Sequence, residues 1–241
     1  MDINPTRNFN LAYIILDSVF ILVLLALLFL KKKYRTLLWS LFGGALYFLV
    51  DFGYFYLISG SRKVLINGTV QGEGYTALIL LWMSLSYGIT NFVFIWLCLD
   101  KDKNLKEWLI LIIGWWLIAP SLAALGGERI IQTTRTTGKY HWIMALFLVV
   151  GYLYLIIRNL FFKKEKVDIL KLNLIGISVQ FAWEAALLIN GIRPLDSASL
   201  VTLLVDSLLE TNLGMPYFYF IHKYIFDQPE EEKELSLNNL K

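Results

Sequence analysis

Seven runs of the chain are apolar over the roughly 17 to 25 residues that a helix needs to cross about 30 Å of hydrocarbon. They fall at approximately 11–30, 36–58, 75–99, 107–125, 140–161, 170–191 and 199–222. Together they consume most of the 241 residues, and the short connections leave no room for a soluble domain. The composition agrees, since only 17% of residues are charged against about 25% in water-soluble domains. The fold class expected is therefore all-α: one integral membrane bundle of seven transmembrane helices over 1–226. An acidic cytoplasmic tail, 227–241, of the kind that stays disordered, follows it.

The first run is long enough to span and ends in Lys31-Lys32-Lys33, so it is expected to persist as a helix rather than be cleaved as a signal. Cys98 is the only cysteine, and His141 and His222 lie far from it in sequence. No metal or other cofactor is expected. Fifteen of the 22 lysines and arginines fall on the side of the first, third and fifth connections and the tail. The other seven are Arg7, Arg62, Lys63, Arg129, Arg135, Lys139 and Arg193. The positive-inside rule then puts the amino terminus outside and the carboxyl terminus inside, and it accounts for the net charge without any nucleic-acid partner. The membrane would be the plasma membrane in a bacterium and the endoplasmic reticulum in a eukaryote.

At about 1.5 Å per residue, Asp51 lies roughly 21 Å from the cytoplasmic start of the second run. Glu184 of the sixth and Asp206 and Glu210 of the seventh reach a similar height, and Asp17 falls in the same half. An acid at the centre of a membrane helix costs on the order of 2.5–3.5 kcal/mol. Glu184, Asp51 and Glu210 are accordingly the candidate catalytic carboxyls, converging on one polar cavity in the outer half. Glu184 is expected there as a neutral acid, so that Glu184→Gln would preserve the fold and abolish activity. Asp206 and Glu210 are four apart and share a helix face; Gln180 shares that of Glu184, and Tyr54, three residues beyond Asp51, that of the second helix. With Trp183, Asn91 and Asn212, these make up the candidate substrate-binding set: Tyr54, Asn91, Gln180, Trp183, Asp206 and Asn212. Gly214 and Pro216 predict a kink just below Glu210. The stretch 126–141 reads as a solvated outer loop, with binding of an anionic head group or diphosphate by Arg129 and Arg135 as the alternative, and His141 at the mouth of the fifth run suits proton exchange.

A faint repeat links Leu57-Ile58-Ser59-Gly60-Ser61-Arg62 to Leu188-Ile189-Asn190-Gly191-Ile192-Arg193, and Thr90-Asn91 to Thr211-Asn212. It implies parallel repeats, runs 1–3 and 5–7, joined by the fourth, with Asn91 facing Asn212. A retinal protein is excluded, because no lysine lies between Lys171 and Lys223 to form the Schiff base.

Asp51-Phe52-Gly53-Tyr54 together with an acid in the last helix resembles the seven-helix integral-membrane terpene cyclases of fungal meroterpenoid and indole-diterpene pathways. Those carry an acid in a Trp-Glu-x-x-Tyr context in the second helix. Here Val50 stands in place of the tryptophan and Asp51 in place of the glutamate, and Ala182-Trp183-Glu184 lies in the sixth helix instead. The resemblance implies an intramembrane enzyme, a cyclase-like isomerase or lyase, acting on an isoprenoid or lipid-like molecule by carboxylic-acid catalysis. The expected partners are a lipophilic small molecule and membrane lipid, with the oligomeric state open. The alternative is a small-molecule transporter or ligand sensor of 3+1+3 layout, similar to sugar transporters that carry asparagines in their third and seventh helices.

Overall fold

The computed structural model describes residues 6–136, 140–162 and 166–226; the acidic tail expected at 227–241 lies outside them. Helices dominate: α1 (Leu11–Leu30), α2 (Tyr34–Phe48) continuing as a π-helix (Leu49–Ile58), α3 (Glu73–Leu99), α4 (Leu105–Ala123), α5 (Tyr140–Phe161) and α6 (Ile169–Ile189). These six segments are long and apolar enough to cross a membrane. The seventh run is helical but broken. It comprises α7 (Ser197–Leu209), a 3-10 turn (Asn212–Gly214) and α8 (Met215–Ile221). Pro216 has no amide to offer the Asn212 carbonyl and instead opens α8 as one of its first residues, which places the break just below Glu210 as expected.

α3 is the central helix, with most of its length buried. Its tightest neighbour is α2, because glycines on both sides let the backbones meet. A methyl group added at Gly88 would stand 2.9 Å from Gly44 Cα and 3.0 Å from the Gly43 carbonyl oxygen. Below that crossing, Trp39, Phe92 and Trp96 pack into an aromatic plug with Phe218 of α8 against it. At the far end, Lys33 pairs with Asp102, and His222 Nε2 lies 2.6 Å from Asp100 Oδ1. The first and third connections and the end of the seventh segment thus meet on one face of the bundle.

The opposite face carries something that helical periodicity does not disclose. Stretches read as connections form a four-stranded antiparallel sheet in the order β1 (Thr6–Phe9), β4 (Ile131–Arg135), β2 (Arg62–Ile66), β3 (Thr69–Val70). Asn67 and Gly68 close the β2–β3 hairpin, both with positive φ, 49° and 76°, as a two-residue type I′ turn requires. Side chains alternate across the strands, so Arg7 with Phe9, Arg62 with Val64, and Ile131 with Thr133 and Arg135 share the bundle-facing side. Asn10 fastens the sheet to the bundle. It caps α1 by accepting from the Tyr13 amide, and its Nδ2 donates to the carbonyls of Ala123 and Gly127.

Candidate functional site

The register sets Arg62 directly opposite Arg135 in the sheet, and Arg7 opposite Thr133 on the far side of β4. Like charges so placed repel. The repulsion is offset from below, where helix carboxylates rise to meet the guanidinium groups. Arg62 Nη2 donates to Asp51 Oδ2 at 3.2 Å, and the Tyr87 hydroxyl donates to the same oxygen. Arg135 pairs with Glu210 and stands 3.8 Å from Asp51 Oδ1. Arg7 Nη2 donates to Glu184 Oε1 at 3.1 Å. On the other side of Glu184, Arg193 Nη2 lies 2.6 Å from Oε2, an ion-pair contact off the hydrogen-bonding direction. Met83 Sδ sits beneath the sheet within 3.7 Å of Arg7 and 3.6 Å of Arg62.

Burial works against all four guanidinium charges. Glu210, Asp51 and Asp206 outweigh it at Arg135 and raise its pKa far above the ordinary arginine range, and Glu184, with Tyr87 and Glu210, raises that of Arg7. At Arg62 and Arg193 burial prevails over Asp51 and Glu184, and the neighbouring arginines push the same way, so both fall below the ordinary range. Arginine keeps its proton nonetheless.

A cavity of about 360 Å³ lies between this ion network and the aromatic plug. Of the expected catalytic carboxyls, Asp51 and Glu210 line it, whereas Glu184 is fully buried behind Arg7 and Arg193 and does not. That corrects the expectation of apolar surroundings: the guanidinium groups of Arg7 and Arg193 flank the Glu184 carboxyl. Gln180, expected to neighbour Glu184, donates instead to Glu210 at 3.2 Å and accepts from Thr211 at 2.6 Å. Trp183 and Asp206 line the cavity as expected, with His141 Nε2 3.4 Å from Asp206 Oδ1.

Three expected binding residues lie elsewhere. The second helix turns π at Leu49, and its longer turn brings Phe55, not Tyr54, onto the buried face with Asp51. Tyr54 is left half-exposed, off the cavity. Asn212 accepts from the Tyr152 hydroxyl at 2.5 Å and packs on Gly176, while Asn91 is buried beside Tyr47. The two asparagines are therefore not a facing pair across a ligand. Asp17 also stands apart, accepting from Trp115 Nε1 at 3.0 Å.

The faint repeat acquires a structural meaning here. Gly60 (φ 61°) and Gly191 (φ 63°) each turn the chain back after a helix, so that Arg62 and Arg193 fold onto the acid of that helix, Asp51 and Glu184. The intervals differ by two residues, and the π winding of the second helix takes up the difference. Arg7, Arg62 and Arg193 carry no site role in the sequence-based expectations, and Arg135, expected in a solvated loop, is instead part of the ion network. The alternation in Arg62-Lys63-Val64 and the Asn67-Gly68 turn signal were the clues available.

Among the described residues, no three His, Cys, Asp or Glu side chains gather as metal ligands. Compared with known protein families, curated proteins and solved structures, the chain matches none.

Proposed function

We propose that the chain crosses a membrane seven times, with the sheet and amino terminus outside, and is an intramembrane enzyme acting on a lipophilic substrate by carboxylic-acid catalysis. The observation that carries this reading is a single cavity with ionisable groups at one end and aromatic walls at the other. Asp51 is engaged by Arg62 and Tyr87, and Glu184 by Arg7 and Arg193. Both are positioning residues. The proton-transfer acid is Asp206, at the cavity with His141 beside it to resupply the proton from the sheet side, and Glu210, at the end of α7 and held by Arg135 and Gln180, is the carboxylate that orients the site beside it.

The O–H of the carboxylic acid protonates an alkene or epoxide and becomes a carboxylate. The resulting cation is flanked by the rings of Tyr47, Phe92, Trp183 and Phe218, and a neighbouring C–H returns its proton to the carboxylate. The net change is an isomerisation that needs no cofactor. The acids of the second and last helices bordering one cavity support the resemblance to membrane terpene cyclases, although the tyrosine of that motif points away.

One observation favours the alternative of a 3+1+3 transporter or ligand sensor: a helix broken at the level of the cavity, as transporters use. Against it stands the aromatic plug between the cavity and the opposite face. The test is incubation in heavy water of membranes isolated from an expressing host, where no new lipid is synthesised, followed by mass spectrometry of the extracted lipids. Wild type is expected to place non-exchangeable deuterium in a lipid that Asp206→Asn and Glu210→Gln leave unlabelled. Identical lipid labelling in all three would overturn the enzyme reading.

A further inference from the structure

The cavity has a mouth, and it is not through the sheet. Residues that both line a cavity and remain exposed mark its opening. At the sheet end the lining arginines are closed in, with side chains only 14% (Arg7), 6% (Arg62), 12% (Arg135) and 2% (Arg193) exposed. The exposed lining residues are Leu46, Val50 and Tyr217, at 36%, 39% and 39%. These belong to α2 with its π extension on one side and to α8 on the other. α2 packs chiefly on α3, whereas α7 and α8 pack on α5 and α6, and the cavity lies between the two groups. Its mouth is therefore lateral, facing the hydrocarbon.

The closed end carries a built set of donors. Arg62 Nε, Arg135 Nε, Arg193 Nε and Arg193 Nη1 are buried without a hydrogen-bond partner, as are the acceptors Glu184 Oε2 and Asp206 Oδ1; Arg62 and Arg193 are the least exposed of these arginines. Buried guanidinium donors left unmade are costly, and they fit the oxygen lone pairs of an anion. A volume of about 360 Å³ is at the small end for ligand cavities, too small to enclose a long-chain lipid whole.

We propose that the cavity takes an anionic amphiphile sideways from the leaflet on the sheet side. A carboxylate or phosphate group sits at Arg62 and Arg193, and the chain runs out between Val50 and Tyr217 into the bilayer. This names the substrate class of the proposed enzyme and rests on the cavity being its substrate site.

Binding to the purified full-length chain in non-ionic detergent tests it, using oleate, oleyl phosphate, oleyl alcohol and inorganic phosphate as probes. Oleate and oleyl phosphate are expected to bind at least about tenfold tighter than oleyl alcohol, the lower end for a charge-assisted hydrogen bond. Inorganic phosphate should not displace them. Arg193→Met should erase the preference for the anionic head. Because loss of Arg193 endangers folding, Val50→Trp at the lipid-facing rim gives a second arm, with oleate binding expected to fall about tenfold as the mouth narrows. Equal binding of oleate and oleyl alcohol, wild-type oleate affinity in Val50→Trp, or inorganic phosphate binding as tightly as oleyl phosphate would each overturn the proposal. The readout needs no turnover. Absence of deuterium transfer with head-group selectivity intact sinks the enzyme reading alone, and deuterium transfer with head-group indifference sinks this inference alone.

Discussion

Glu184 illustrates how a helix long and apolar enough to cross a membrane comes to hold an acid. The sequence marks it as costly, and the structure meets the cost with guanidinium groups from outside the helix, one from a strand and one from the turn beyond the helix end. Removing its charge strands Arg7 and Arg193 at a buried site, and breaking a buried ion pair from one side costs about 3–5 kcal/mol. Glu184→Gln is therefore expected to lower stability strongly, against the first expectation that the amide would preserve the fold. Thermal unfolding in detergent measures this. Combining Glu184→Gln with Arg193→Met should cost clearly less than the sum of the two single changes, since the double variant no longer strands that arginine. Additive losses would show that the pair is not coupled. The acids were legible because a carboxyl inside an apolar run stands out in one dimension. The arginines were not, because every basic residue near a helix end already has a topological explanation.

At the scale of elements, the six long apolar helices were legible almost to the residue, and so was the break at Pro216 in the seventh run, since length, apolarity and a missing amide are all local properties. Strand pairing is not local. β1 and β4 are joined across more than a hundred residues, so only Asn67-Gly68 carried a local turn signal, and no strand was expected from it. The π winding after Phe48 was invisible for a different reason: it shifts which residue shares a face with Asp51 without changing how apolar the segment is. The α2–α3 crossing offers a direct test. Gly88→Ala pushes a methyl group against the backbone of Gly43 and Gly44, which cannot rotate aside. A cost of about 1–3 kcal/mol is expected. Gly74→Ala, with nothing within 4 Å of the new methyl group, should be neutral or mildly stabilising, as alanine is the better helix former. Equal melting temperatures for the two variants would refute the close crossing.

For the whole molecule, the sheet changes how the charge asymmetry is read. Of the seven basic residues on its side, Arg7, Arg62, Arg135 and Arg193 are engaged by helix carboxylates. They are counter-ions of the site rather than free positive charge. The lysines of the opposite face include Lys101 and Lys103, which are exposed. The count of fifteen against seven basic residues favours the orientation with the sheet outside. Cysteine labelling with a membrane-impermeant maleimide decides it, in cells or sealed vesicles of known orientation. Cys98, the only native cysteine, is buried and is replaced by alanine for a clean background. Gly72→Cys, exposed at the start of α3, and Thr136→Cys, whose amide donates to the Ser61 carbonyl at the sheet edge, should react from outside. Lys103→Cys, exposed beside Asp102 on the opposite face, should react only after permeabilisation. The reverse pattern would turn the ion network and its cavity toward the cytoplasmic leaflet, and any anionic amphiphile would then have to come from that side.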